Sequence, residues 1–450
     1  MKQKDLISGS IIGNILDFSL PFLLSYLLQM LYGMADLFIV AQYNGVDSTT
    51  AVSIGSLILK MVTVVIIGLS MGSMVIIAKA IGERNEENFK TAVGNTFSIF
   101  LIFSILVTII LLILIKPIVN IISTPTEAIE QTITYLFIGF IGIPFIVAYN
   151  ILSSIFRGMG DTKSPLFFVT IACVLNIILD YIFIGYYKIG ATGAALGTVL
   201  SQIGSVIISI YFIRKKKLIR SFQISDLKLK KAMIKAILKI GIPIAFQDGF
   251  IQASFVIITI FANLRGLNDA AAVGIVEKII SILFMVPSTM LSTVSALSAQ
   301  NIGAGKQKRA QEILKISIII TVSISLILAF LMTIFAEDSM KLFTNNSKVI
   351  LAGSQYMKAY VWDSVFAGVH FCMSGYFCAI SMSNISFLHN IISIVVARIP
   401  IAYWASRKFT NTLFPMGLAA VIGSIISIII CVVAYQILEK RAYKNFFNLA

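Results

Sequence analysis

The chain has 450 residues, 58% of them hydrophobic and only 12% charged, with a mean hydropathy of +0.95. A soluble domain carries about 25% charged residues, so this chain cannot coat a globular surface with polar groups; a cytosolic enzyme and a disordered chain are excluded, and lipid is the expected solvent. The 35 Lys and Arg against 20 Asp and Glu leave a net charge of +15, which in such a chain marks cytoplasmic loops beside anionic headgroups rather than nucleic-acid binding.

The N-terminus, MKQKDLISGSIIGNILDFSLPFLL, puts basic residues ahead of an apolar run without a small-residue cleavage site. It reads as an uncleaved first span. A span needs ~20 mostly apolar residues to cross ~30 Å of hydrocarbon, and twelve such stretches follow in order: 16–41, 50–77, 92–115, 131–155, 165–187, 192–213, 240–262, 270–298, 313–335, 351–376, 385–406 and 415–437. They are too long and too evenly apolar for barrel strands, which leaves helices. With the N-terminus inside, 24 Lys and Arg fall on the inner side and 7 on the outer, with Lys60, Lys278, Lys358 and Arg398 within spans. That bias places both termini in the cytoplasm.

Basic residues crowd the one long polar connector, 214–239, which divides the chain into an N-lobe (1–213) and a C-lobe (240–450) of six spans each. The halves align at an offset of 221–222: Pro21 with Pro243, Ala51-Val52 with Ala272-Val273, Ile81-Gly82 with Ile302-Gly303, Tyr135 with Tyr356, Ser153 with Ser374. A repeat with an even number of spans re-enters the membrane in the same sense. The expected architecture is therefore an all-α polytopic protein of two six-helix lobes, related by a pseudo-twofold along the membrane normal with a cleft between them.

Ionisable groups inside hydrocarbon are costly and are functional candidates by default. In span one Asp36 lies about 20 residues in, and in span five Asp180 about 15, so both reach the outer half at ~1.5 Å per residue. Asn176 precedes Asp180 by four residues and Tyr32 precedes Asp36 by four, which puts each pair on one helix face. Tyr135 and Thr198, near the outer ends of spans four and six, come to the same depth. Two carboxylates among amide and hydroxyl oxygens suit a proton, or a hard cation such as Na⁺ held by Asp36, Asp180 and Asn176. Pro21, mid-helix and fifteen residues before Asp36, removes a backbone hydrogen bond and permits a bend.

The C-lobe has no equivalent, because the offset carries Asp36 to Ile258 and Asp180 to Ile401. Its own polar groups are Gln247, Asp248, Asp363 and Arg398. Asp363 and Arg398 either pair or line a cleft for a cationic substrate. Glu277 and Lys278 read as a local pair. Lys60 is a counter-ion for Asp36 or Asp180, a snorkelling lysine or a cleft residue. The four cysteines, in apolar runs without a CxxC, read as buried thiols. No GxxxxGK[ST] marks an ATP-driven motor. Gly68-Leu69-Ser70-Met71-Gly72 matches GxSxG, but inside an apolar helix it reads as small-residue packing rather than a nucleophile elbow. Neither this match nor His370 and His389 supplies a catalytic constellation, so an enzyme is not expected.

Four segments resemble the multidrug and toxic compound extrusion (MATE) transporters: Arg157-Gly-Met-Gly-Asp-Thr-Lys-Ser-Pro165, Asn176-Ile-Ile-Leu-Asp180, Ala299-Gln-Asn-Ile-Gly-Ala-Gly-Lys306 and Arg398-Ile-Pro400. The resemblance covers nearly the whole chain. It implies a twelve-helix antiporter of a bacterial plasma membrane that exports lipophilic or cationic compounds against H⁺ or Na⁺. No cofactor beyond that coupling ion and no nucleic-acid partner is implied; the partners are a lipophilic small molecule and membrane lipid, and a monomer is expected. Asp36 with Asn176 and Asp180 is similar to the DinF-like branch. In that branch the matching Pro21, Tyr32, Tyr135 and Thr198 surround the ion-binding aspartates, and the first helix bends on loading. The helix-seven glutamate of the NorM-like branch is matched here by Ile251, with Asp248 one turn earlier. The nearest rival is a lipid-linked oligosaccharide flippase of the same superfamily, which usually carries about fourteen spans and a more cationic cavity. A major-facilitator loop (GxxxDRxGR) is replaced by Ile81-Gly-Glu-Arg-Asn-Glu-Glu87.

Overall fold

The computed structural model describes residues 6–122, 124–215 and 224–447; residues 216–223 of the predicted connector lie outside the described residues. Each predicted span is helical. In the first half these are α1 (Ile11–Tyr43), α2 (Val46–Gly82), α3 (Glu86–Ile121), the pair α4 (Ile129–Ile141) and α5 (Ile143–Gly158), α6 (Lys163–Asp180) and α7 (Gly190–Lys215). In the second they are α8 (Lys231–Asn263), the pair α9 (Leu267–Leu283) and α10 (Met285–Gly303), α11 (Gln307–Ile334), then a short α12 (Ala336–Lys341). After it come the pair α13 (Ser347–Tyr360) and α14 (Asp363–Ala379), the pair α15 (Ser383–Ser393) and α16 (Ile399–Lys408), and α17 (Phe414–Phe447). Among the described residues, ten helical stretches are long and apolar enough to cross a membrane singly, and α4–α5 makes an eleventh bent by 46°. The remaining predicted span, 351–376, is the α13–α14 pair, interrupted at Val361-Trp362.

The bend in span four has a local cause. Pro144, in the first turn of α5, has no N–H to give the carbonyl of Phe140 four residues back. The Thr108 hydroxyl of α3 donates to that carbonyl instead, at 3.3 Å, so the break leaves no orphaned acceptor.

The chain folds into two compact units, one built mainly from Leu16–Gly241 and the other mainly from Ile242–Ile302 and Lys306–Ala450. Each has its own apolar core. In the first, Phe156, Phe168 and Phe212 stack edge to face at 5.4 and 5.6 Å; in the second, Tyr356 and Tyr360 do so at 5.4 Å. Tyr135 and Tyr356, matched by the sequence repeat, are each 1% exposed, and each lies in the core of its own unit.

Much of the described part of the predicted connector is helical. Helix α8 begins at Lys231, so 231–239 is helix, and the preceding Ile224–Leu227 turn leads into a segment tied down along α3. Ser98 donates to Leu227 O at 2.7 Å, the Asn95 amide donates to Lys228 O at 3.3 Å, and Lys230 N donates to Asn95 Oδ1 at 2.7 Å. The contact is close enough to need a glycine: a Cβ at Gly94 would sit 2.0 Å from the carbonyl oxygen of Asp226. Gly94→Ala should therefore lift the 226–230 segment off α3. The expected result is faster cleavage there in limited proteolysis while the helices stay protected; unchanged cleavage would contradict the docking.

All four cysteines are buried and unbridged. Ser70 of the GxSxG match donates to Ile67 O at 2.8 Å inside α2, an intrahelical bond rather than a nucleophile's setting.

Candidate functional site

The site lies in the first unit. On α1, Ser25, Gln29, Tyr32 and Asp36 follow one another at spacings of four, three and four, which keeps them on one helix face. Asp36 is 5% exposed, and Asn176 and Asp180 on α6 are fully buried. The Asp36 carboxyl has Asp180, Thr198 and Asn176 as its polar neighbours, and Tyr135 of α4 interacts electrostatically with Asp36, Asp180 and Tyr32. The five residues expected to share one depth are thus brought together from α1, α4, α6 and α7.

Hydrogen bonding in this cluster is incomplete. Thr198 donates to Asp36 Oδ2 at 3.2 Å. Asp36 Oδ1, both oxygens of Asp180 and both amide atoms of Asn176 are buried without a hydrogen-bond partner. Buried polar atoms are normally satisfied, and two ionised carboxylates cannot bond each other. A proton on one carboxyl would let it donate to the other, and a small cation between them would have oxygen ligands from both. The donor chemistry fits either: two carboxylates, an amide oxygen and a hydroxyl are hard oxygen ligands. Among the described residues no Lys or Arg forms an ion pair with either acid. Lys60 is exposed on α2, so it does not serve as their counter-ion.

Asp180 ends α6, and the next six residues, Tyr181–Tyr186, form a π-helical turn in which Tyr187 N reaches back five residues to Ile182 O at 2.9 Å. Such turns recur at functional sites because an extra residue per turn re-aims the side chains beside it. Inward of Asp36 the polar face continues. Tyr32 lies beside Gln202 of α7 and Tyr149 of α5, and Gln29 donates to the Tyr149 hydroxyl at 3.3 Å. Gln29, Tyr149 and Gln202 were not singled out from the sequence, although the stripes Gln29–Tyr32–Asp36 and Thr198–Gln202–Ser205 carried the signal.

Pro21 sits within α1. Its missing N–H frees the carbonyl of Asp17, to which Thr162 of the Arg157–Pro165 motif donates at 3.5 Å. On the other side of the proline, the Arg157 guanidinium lies 3.9 Å over the Phe22 ring. Ser25 donates to Pro21 O at 2.8 Å. The motif is a tight turn: Gly160 takes a φ of +83°, and Asp161 accepts from Ser164 N at 3.0 Å at the start of α6.

The second unit holds a separate polar pocket, lined among others by Ile251, Asp363, His370, Asn390, Arg398 and Ser424. Asp363 accepts from Ser424, which also bonds His370 Nε2 at 3.3 Å. Arg398, at the end of a second π-helical turn (Ile394–Arg398), donates to the Tyr360 hydroxyl and lies 4.6 Å over the Phe255 ring. Asp363 and Glu277 are its acidic neighbours. Arg398 and Asp363 thus share a pocket, with the hydroxyls of Tyr360 and Ser424 as their direct partners. Glu277 accepts from Thr259 at 3.3 Å, whereas Lys278 is exposed, because adjacent helical residues point about 100° apart. The expected local pair does not form. Gln247 is buried and its amide donates to Asp248 at 3.5 Å; neither residue lines this pocket. The two units therefore differ in chemistry: the second carries its own buried cation, and the first pairs two acids without one.

Comparison with known proteins bears on the family and the fold. The family model MatE matches the chain twice, at residues 21–182 and 243–404, an offset of 222 that reproduces the internal repeat. The chain is similar to the "Probable multidrug resistance protein YpnP" of Bacillus subtilis (strain 168), 29% identical over 91% of this chain and 92% of that protein. It is also similar to the "Probable multidrug resistance protein YoeA" of the same organism, 27% identical over 78% of this chain and 77% of that one. Among solved structures, "Crystal structure of MATE in complex with MaL6" superposes with a TM-score of 0.91 at 23% identity, covering 99% of this chain and 100% of the other.

Proposed function

The chain belongs to the MatE family of membrane transporters, and from that membership we propose that it is a multidrug efflux antiporter of a bacterial plasma membrane, with both termini cytoplasmic. It exports lipophilic or cationic compounds in exchange for H⁺ or Na⁺, without an enzymatic step. The observation that carries the coupling assignment is the Asp36–Asp180 pair: Asp36 Oδ1 and both oxygens of Asp180 are buried without a partner, Asp36 Oδ2 accepts from Thr198, and among the described residues no Lys or Arg forms an ion pair with either acid. An ion entering from outside loads the pair, with Thr198, Asn176 and Tyr135 around it. Tyr32 and Gln29, on the same face of α1, carry the change inward toward Pro21. There Pro21 has no N–H to give the carbonyl of Asp17, to which Thr162 donates at 3.5 Å, so a bend in α1 breaks no helical bond at that step. Bending of α1 then displaces the drug outward. The pocket around Arg398 is the less suited coupling site, since Asp363 and Glu277 already face a guanidinium.

Efflux of a fluorescent lipophilic cation from proteoliposomes, under an imposed pH gradient and separately under an imposed Na⁺ gradient, tests the reading. At least one gradient should drive export, and the one that does names the coupling ion. Export that follows neither would overturn antiport.

A further inference from the structure

Helix α7 turns a stripe of small residues toward α6 and the π-helical turn that follows it. Most of it is ordinary close packing: a Cβ at Gly193 would meet the apolar carbons of Phe183 and Ile184 at 2.9 and 3.2 Å, and one at Gly204 would meet Leu175 at 2.9 Å. Gly197 is different. Its nearest neighbour is a carboxylate oxygen: a Cβ there would lie 2.2 Å from Asp180 Oδ1, with the Asn176 amide nitrogen 3.7 Å away. The next residue, Thr198, donates to Asp36. One step of the α7 backbone therefore addresses both acids, leaving room for Asp180 and bonding Asp36.

We propose that Gly197 is a positioning residue for the acid pair, its missing side chain letting the Asp180 carboxyl lie against α7 and face Asp36. The proposal rests on the coupling role assigned to that pair above. Any side chain at 197 drives the carboxyl back, since ordinary contact begins at 3.4 Å. Asp180 is fully buried with both oxygens unpartnered, so no hydrogen bond holds it against that push. The pair then separates and Asp36 takes up the ion alone. The other ionisable groups facing the pair are Tyr32 on α1, Tyr135 on α4 and Cys173 on α6, with Tyr149 of α5 reaching Tyr32. Helix α7 contributes no ionisable group there, so a substitution at 197 acts through Asp180 alone.

The test measures binding of a fluorescent lipophilic cation to the purified full chain as pH is lowered and, separately, as Na⁺ is added. Gly197→Ala should move the midpoint of the active ion's titration toward that of Asp180→Asn, by an amount on the order of one pH unit or tenfold in Na⁺. The double variant Gly197→Ala/Asp180→Asn should match Asp180→Asn alone, because the glycine has nothing left to position. Gly193→Ala, which crowds apolar carbons of the π-helical turn rather than a carboxylate, and Gly33→Ala, whose Cβ meets nothing within 4 Å, should keep the wild-type midpoint. A Gly197→Ala midpoint equal to wild type, or an equal shift from Gly193→Ala, overturns the proposal. If Asp36→Asn and Asp180→Asn themselves leave the titration unchanged, the coupling reading fails instead.

Discussion

Replacing Asp36 by Asn should cut gradient-driven export by about 5- to 150-fold, the loss expected when a coupling free energy of about 1–3 kcal/mol between ion and drug disappears. Asparagine is close in shape and keeps an oxygen for the Thr198 hydroxyl, now 3.2 Å from the carboxylate. It cannot take up a proton or balance a cation. The variant should therefore melt within a few degrees of the wild type and still bind drug. Asp180→Asn should show the same split between folding and export. Near-normal export in both variants would remove the pair from the mechanism.

The second large effect is on stability and lies in the other unit. Arg398 is the buried cation facing Asp363 and Glu277, and it is held by the Tyr360 hydroxyl and the Phe255 ring. Arg398→Leu keeps much of the volume but leaves the buried Asp363 and the half-buried Glu277 without their counter-charge. Removing one member of a buried charged set typically costs about 3–5 kcal/mol. Thermal unfolding in detergent should show a large drop in midpoint. Arg398→Lys should recover only part of it, since an ammonium neither stacks on Phe255 nor spans the same partners. Arg398→Leu/Asp363→Asn should be more stable than Arg398→Leu alone. A midpoint unchanged in Arg398→Leu would show that the arginine is not structural.

Much of this molecule was legible in the sequence because hydrocarbon imposes few solutions. Twelve apolar runs became helices or helix pairs, although α8 begins nine residues before its expected limit and α17 ends ten residues beyond it, and scarce charge drew attention to Asp36 and Asp180 for a sound energetic reason. What escaped depends on neighbours. The break in span four follows from Pro144 and was readable in principle. The interruption at Val361-Trp362 and the π-helical turn after Asp180 have no proline to announce them, whereas the turn at Arg398 is followed by Pro400, which has no N–H for the Val396 carbonyl. Gln29 and Gln202 were passed over because neutral amides are less conspicuous than acids, and Gly197 because a glycine in a membrane helix is commonplace until its neighbour is known. Glu277 was assigned to its sequence neighbour Lys278, whereas its structural neighbours come from α8 and the π-helical turn at Arg398.

The claim that ion and drug compete through Asp36 and Asp180 is tested most directly by equilibrium binding. The affinity of the purified protein for a lipophilic cation should fall as pH is lowered, or as Na⁺ is added, and should become insensitive to both in Asp36→Asn/Asp180→Asn. A double variant that binds the cation with the wild-type pH and Na⁺ dependence would contradict the account.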